Sequence, residues 1–125
     1  MSKTHFENLR VYQLAEQLAD EVWRIVGGWE TFERNTVGSQ IARSADSIGA
    51  NLAEGSGRGS NADYKRFIKI SRGSLYETRH WLRRAYKRGL LSKDQTETLT
   101  MIIEELTPKL NAYLRSIGTF QKDEA

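Results

Sequence analysis

The chain has 125 residues, no cysteine and a formal net charge of +3. This length is typical of one domain, here spanning residues 1–125, and the lack of cysteine excludes disulfides and thiolate metal sites, as expected in a reducing cytoplasm. No stretch approaches the roughly 20 apolar residues that span a bilayer, and the first residues lack the apolar core of a signal peptide, so we expect a cytoplasmic protein with no membrane partner.

Apolar residues recur at spacings of three and four along most of the chain, which is typical of amphipathic helices. They predict four helices, over about 9–26, 35–54, 61–88 and 93–117. Gly27, Gly55 and Gly89 are expected to end the first three helices, and Pro108 should kink the fourth. Because short connectors favour antiparallel neighbours, we predict an all-α, antiparallel up-down four-helix bundle.

Polar and small residues interrupt the predicted second and third helices. Asn51 and Glu54 are expected to form a satisfied polar network that fixes the register of the helices. Ser71, Gly73 and Ser74 are small, so we expect them to allow a close approach between helices.

Catalytic and metal-binding patterns are not found. Glu77 and His80 have the Glu-x-x-His spacing of a di-iron bundle, but such a site needs a second copy, and the chain has none. The glycine-rich loop 55–60 lacks the Gly-Lys-Ser/Thr of a phosphate-binding loop and is expected only to permit a tight turn. No serine or threonine has a visible base partner. We therefore expect no enzyme, no catalytic residue, no metal and no cofactor.

The charge is unevenly distributed along the chain. The segment from Arg58 to Lys93 carries eleven Lys and Arg against two acids, whereas the rest carries eight against fourteen. Such asymmetry favours a polyanionic partner more than the net charge does.

Most of these cations recur along one line of the third predicted helix. At 100° per residue, Tyr76 and six cations lie within about 40° of one line along the helix, and we call these cations the basic row: Lys65, Lys69, Arg72, Arg79, Arg83 and Lys87. We expect the row to lie opposite the apolar stripe and to extend roughly 35 Å at 1.5 Å per residue. With Arg84 beside it and Arg58 in the preceding loop, it forms the candidate nucleic-acid-binding site. Such cations bind phosphates.

Other interpretations of the basic row remain open. The row can be a solvated helix face, or it can pair with acidic helices of a neighbouring subunit. Tyr76 and Trp81 can stack on bases or pack against protein. The chain has three tryptophans, more than one small core requires, which favours a homo-oligomer: Trp23, Trp29 and Trp81.

Two blocks of sequence resemble a known family. They are residues 40–55, QIARSADSIGANLAEG, followed by Gly57-Arg58, and residues 72–78, RGSLYET. Together with Phe6-x-x-Leu9-x-Val11-Tyr12-Gln13-x-Ala15, they are similar to the bacterial four-helix-bundle proteins first noticed in intervening sequences of large-subunit ribosomal RNA genes. The resemblance covers about residues 6 to 117.

The resemblance implies a left-handed bundle that assembles as a ring-shaped homopentamer, with no known enzymatic activity and a nucleic-acid role that is poorly defined. A related branch is the accessory subunit of diversity-generating retroelements, which binds a reverse transcriptase and its template RNA. We therefore expect an oligomeric protein that binds RNA or DNA through the basic row. The alternative is an interaction scaffold that recruits a partner such as a reverse transcriptase.

Overall fold

The computed structural model describes residues 6–118, and within them it contains helices and no strand. This confirms the all-α fold predicted from the sequence. A short 3₁₀ turn, Phe6–Asn8, precedes four main helices: α1 (Arg10–Gly27), α2 (Ser39–Ser56), α3 (Asn61–Lys87) and α4 (Lys93–Ser116). In the same residues no helix has the length and apolar content needed to cross a bilayer.

The segment before α2 is helical as well. A single α-helical turn, Thr31–Glu33, continues into a π-helical turn, Arg34–Gly38, which leads directly into α2. The sequence predicted that the second helix begins near residue 35. Helical backbone begins earlier because residues 29–37 contain neither glycine nor proline to interrupt it.

Gly55 does not end α2, as its position in the sequence suggested, but lies inside it. A Cβ atom there would sit 2.8 Å from Cβ of Phe67 and 2.9 Å from Cδ1 of Tyr64, so this glycine permits close contact with α3. Gly89, in contrast, follows α3 with a positive φ of 73°, which a glycine adopts readily. α4 continues through Pro108 to Ser116.

Each helix packs against the next in the chain, and α4 closes the bundle against α1. Contacts between α2 and α3 pair residues in opposite order, since Arg43 meets Glu77 while Ile48 meets Ser71. The left-handed sense of the bundle stays a prediction. The largest fully buried apolar side chains come from all four helices: Leu14, Leu18, Ile41, Ile48, Leu52, Ile68, Leu75, Leu106 and Leu110. Each contributes about 1.5–3 kcal/mol by leaving water.

A row of small hydroxyl side chains fills the contact between α2 and α3. Ser44, Ser71 and Thr78 are each 0% exposed. Thr78 donates to Oγ of Ser44 at 2.9 Å, and Ser71 donates to the backbone oxygen of Ile48 at 2.7 Å. Because these buried hydroxyls are satisfied, they fix the register of the two helices without leaving an unpaired polar group.

The network differs from the predicted one at two positions. Asn51 takes part, with Nδ2 donating to Oγ of Ser47 at 2.9 Å. Glu54 instead lies at the surface, where it pairs with Arg58 at 2.8 Å, since a carboxylate is costly to bury without a partner. Gly73 is exposed with open space around it, so the prediction that it allows close helix approach is wrong.

Two polar contacts hold α4 at its ends. Nε1 of Trp29 donates to the backbone oxygen of Leu90 at 3.1 Å, which ties the segment after α1 to the loop before α4. At the other end of the bundle the hydroxyls of Tyr64 and Tyr113 are hydrogen-bonded. Burial, and then this hydrogen bond, raise the pKa of Tyr64 well above its ordinary value.

Candidate nucleic-acid interface

The basic row lies on one unbroken helix. α3 begins at Asn61, where Oγ of Ser60 accepts a hydrogen bond from the backbone nitrogen of Asp63 at 3.1 Å, and it continues to Lys87. Such a cap satisfies one of the free N–H groups of the first turn. All six cations of the row are therefore carried by a single rigid element.

The row flanks the apolar stripe of α3 and does not lie opposite to it, which corrects the expectation from the sequence. At 3.6 residues per turn, the centres of the row and of the buried stripe are separated by roughly 115°. Lys69, Arg79, Arg83 and Lys87 are exposed, whereas Lys65 and Arg72 are half-buried. The row consequently follows the side of α3 that faces α4.

Arg72 shows how close this row is to α4. Its Nη1 donates to Oδ1 of Asn111 at 3.1 Å. Asn111 is a neutral partner, so the guanidinium keeps its full charge at this position. Tyr76 lies within the row and is 47% exposed, which leaves its ring accessible beside the cations.

The acids of α3 are engaged away from the row. Asp63 pairs with Arg66 at 3.6 Å, and Glu77 pairs with Arg43 of α2 and accepts a hydrogen bond from Nε1 of Trp81 at 3.1 Å. Within residues 6–118, no ion pair involves a cation of the basic row. The positive charge of the row is therefore not neutralised by the described part of the chain.

The two other predicted cations have different environments. Arg84 is exposed on α3 and has no ion pair with a described residue. Arg58 lies in the loop after α2, where it pairs with Glu54 and sits over the ring of Phe67, 4.9 Å from its centroid. Because these contacts compete with a phosphate, Arg58 is a weaker candidate than the row.

A groove of about 270 Å³ separates α3 from α4 beside the row. Its lining includes the apolar side chains of Leu82, Leu99 and Ile103, together with Arg79, Arg83 and one acid, Glu104. Two cations thus outnumber one acid around an apolar depression, which a partner with both apolar and negative groups would complement.

Three acidic residues line a groove on the opposite side of the bundle. This second groove, between α1 and α2, is lined by Glu16, Asp20 and Asp46. Partial burial, and then the charge of Asp20, raise the pKa of Asp46. The helices follow each other around the bundle, so the α1–α2 groove faces away from the α3–α4 groove. A polyanion would be attracted to one side of the molecule and repelled by the other.

The Glu77 and His80 pair has no geometry for a metal. Glu77 is held by Arg43 and Trp81, while His80 is exposed and contacts the ring of Trp81 edge-on, at 4.9 Å between centroids. Within residues 6–118 no three His, Cys, Asp or Glu side chains are grouped so as to bind a metal ion.

Comparison with solved structures identifies a relative of this bundle. It is a protein of unknown function from the S23 ribosomal protein family of Bacteroides thetaiotaomicron, which matches with a TM-score of 0.75 and 23% sequence identity. The match covers 85% of this chain and 99% of that one, and at this identity it shows a shared fold. A comparison with curated proteins finds no match.

The sequence itself also matches a family model. The model, described as 23S rRNA-intervening sequence protein, matches residues 7–112, which include α1, α2, α3 and most of α4. Because the match extends over most of the chain, this protein belongs to the 23S rRNA-intervening sequence protein family.

Proposed function

We propose that this protein binds nucleic acid without catalysing a reaction, and that the basic row contacts the phosphate backbone. The observation that carries the proposal is that no cation of the row forms an ion pair within residues 6–118, although the chain as a whole contains 16 acids. Cations of the row that neutralise phosphates would release the counterions condensed on the nucleic acid, which is the main source of sequence-independent affinity.

The arrangement favours recognition of backbone over base sequence. The cations repeat along an unbroken helix over roughly 35 Å at 1.5 Å per residue, a length that follows several phosphates of a structured RNA or a DNA duplex. The family takes its name from 23S rRNA, so structured RNA is the first ligand to test. The cytoplasm is the proposed setting, since a chain without cysteine is suited to it.

We also propose that the protein acts as a homo-oligomer, with the ring-shaped pentamer of the resembling bacterial proteins as the expected form. A large aromatic side chain at the surface supports an interface, because Trp23 is 69% exposed. Several copies of the basic row would multiply phosphate contacts and raise avidity. Light scattering should give five times the 14.3 kDa mass of one chain, and a monomer would contradict this part of the proposal.

Charge reversal in the basic row tests the proposed function. The double variant Lys69→Glu with Arg83→Glu changes two exposed cations that have no ion pair among the described residues. The matched control is Arg24→Glu with Lys93→Glu, which makes the same change in net charge at exposed positions outside α3. Fluorescence anisotropy with a labelled RNA hairpin measures the affinity of each protein at several salt concentrations.

The wild type should lose about a thousandfold in affinity between roughly 50 and 200 mM salt if six phosphates are contacted. The row variant should bind on the order of 100-fold more weakly. The slope of its log affinity against log salt concentration should be smaller by the amount expected for about two phosphate contacts. The control should resemble the wild type. Equal losses in both variants would mean that only the net charge matters, and an unaffected row variant would exclude the row as the binding surface.

A second candidate function is that of an interaction scaffold or accessory subunit. The groove between α3 and α4 supports it, since Leu82, Leu99 and Ile103 line a depression that a protein segment can enter. A reverse transcriptase is the partner that the resemblance suggests. If the wild type binds neither RNA nor DNA at low salt, this second function is favoured.

A further inference from the structure

A cleft of about 690 Å³ lies between the π-helical turn and the last turns of α3. Two of its lining residues are aromatic, Phe32 from the turn before α2 and Trp81 from α3. Phe32 is 73% exposed, whereas Trp81 is half-buried and held in place by its hydrogen bond to Glu77. The cleft thus presents one fixed ring and one ring that is open to solvent, an arrangement that can accept a flat aromatic ligand.

The polar groups of the cleft define the charge of the ligand that it can hold. Glu33 lines the cleft, and its Oε2 is buried without a hydrogen-bond partner in residues 6–118. A carboxylate in this position repels phosphate and accepts hydrogen bonds from N–H donors. Asn35 and Gln40 add amide groups, while Arg88 contributes a cation. The lining therefore suits a neutral ring that carries N–H donors and is linked to an anionic group.

The cleft is connected to the basic row by cations around the end of α3. At 3.6 residues per turn, the positions of Lys87, Arg84 and Arg88 step around the helix from the row toward Trp81. Arg88 itself lines the cleft. A strand that follows the row can therefore reach the cleft over a continuous positive surface.

We propose that this cleft holds one unpaired base of the nucleic acid whose backbone lies on the basic row. The base stacks on Phe32 and Trp81, its N–H groups face Glu33, and the adjoining phosphate contacts Arg88. The π-helical turn, Arg34–Gly38, forms one side of the cleft, and such turns occur frequently at functional sites. This inference rests on the proposed function, and it adds that the preferred ligand is a helix with an unpaired nucleotide, as in a bulge or an overhang.

Two RNA duplexes of the same sequence test the inference, one fully paired and one with a single-nucleotide bulge. Anisotropy titrations compare the wild type with Phe32→Ala, and with Met101→Ala as a control. Met101 is as exposed as Phe32, at 73%, but lies on α4 outside the cleft. Phe32→Tyr retains an aromatic ring, so it serves as a rescue variant that separates loss of stacking from a general disturbance of the fold.

The wild type and the Met101→Ala and Phe32→Tyr variants should bind the bulged duplex about tenfold more tightly than the paired one, which corresponds to one base–aromatic stack. Phe32→Ala should lose this preference and bind the paired duplex as the wild type does. Equal affinity of the wild type for both duplexes would overturn the cleft proposal but not the proposal that the basic row binds the backbone. A preference for the bulged duplex that survives in Phe32→Ala would have the same meaning. Failure to bind either duplex would overturn both proposals.

Discussion

On the side that faces α2, three side chains that are 0% exposed, Ser44, Ser71 and Thr78, hold α3 through short hydrogen bonds. On the side that faces α4, long cationic side chains border a groove of about 270 Å³. The contact between α2 and α3 is made of small residues that pack closely. The contact between α3 and α4 is made of large residues that leave a groove. α3 is therefore positioned by its contact with α2, so its other side can carry charges that the fold itself does not require.

The largest expected effect on stability comes from adding a methyl group to the tight contact. In Gly55→Ala the new Cβ would meet Cβ of Phe67 at 2.8 Å, and the overpacking should cost about 2 kcal/mol. Gly73→Ala is the matched control, because nothing lies within 4 Å of a Cβ at that exposed position of α3. It should raise the free energy of unfolding by about 0.5–1 kcal/mol, since alanine favours helix.

Urea denaturation followed by circular dichroism measures both glycine variants. The two variants are expected to change the free energy of unfolding in opposite directions. If Gly55→Ala proved neutral, the contact between α2 and α3 would be able to relax, and the distinction between the two sides of α3 would be lost.

A smaller effect is expected from removing one buried hydroxyl at the same contact. Thr78→Val keeps the shape of the side chain but removes the hydrogen bond to Oγ of Ser44, so it should lower the free energy of unfolding by about 1 kcal/mol. Thr98→Val, at an exposed position of α4, should change it by no more than about 0.5 kcal/mol. The same urea titrations apply, and equal results for the two variants would show that the hydroxyl network does not stabilise the fold.

The smallest effect is expected on the α4 side. Tyr113→Phe removes the hydroxyl partner of Tyr64 in a half-buried contact and should cost about 0.5 kcal/mol. Burial and this hydrogen bond raise the pKa of Tyr64, so their stabilising effect is present below the unfolded-state pKa of about 10 and is lost as the pH rises above it.

Tyrosinate absorbance as a function of pH measures this change. In Tyr113→Phe the pKa of Tyr64 should fall toward its ordinary value but remain raised, because burial is the larger cause. A pKa that does not change in the variant would mean that the two hydroxyls are not coupled.

The fold was largely predictable, because apolar periodicity reports which face of a helix is buried. α1, α3 and α4 begin and end within one residue of the bounds read from the sequence. The start of the second helix was missed, since a π-helical turn changes the periodicity over residues 34–38. The role of Gly55 was missed too, because a glycine that ends a helix and one that permits close contact look alike in sequence.

The candidate site was predictable only in part. Periodicity shows that the six cations share one side of α3, but the angle between the basic row and the buried apolar stripe of the helix was overestimated. Packing against α4, and so the half-burial of Arg72 and its contact with Asn111, depends on a residue 39 positions away. The cleft was not predicted, although Phe32, a large apolar residue within a polar segment, was the signal that could have indicated it.

The unbroken course of α3 has a consequence for any long ligand. Its 27 residues form a rod of roughly 40 Å that has no hinge, so the spacing of its charges is set before a partner arrives. Little chain entropy is lost on contact, and any mismatch in pitch or curvature has to be absorbed by the ligand. If nucleic acid lies along α3 as proposed, stiff helices with matching geometry should therefore be bound in preference to flexible strands.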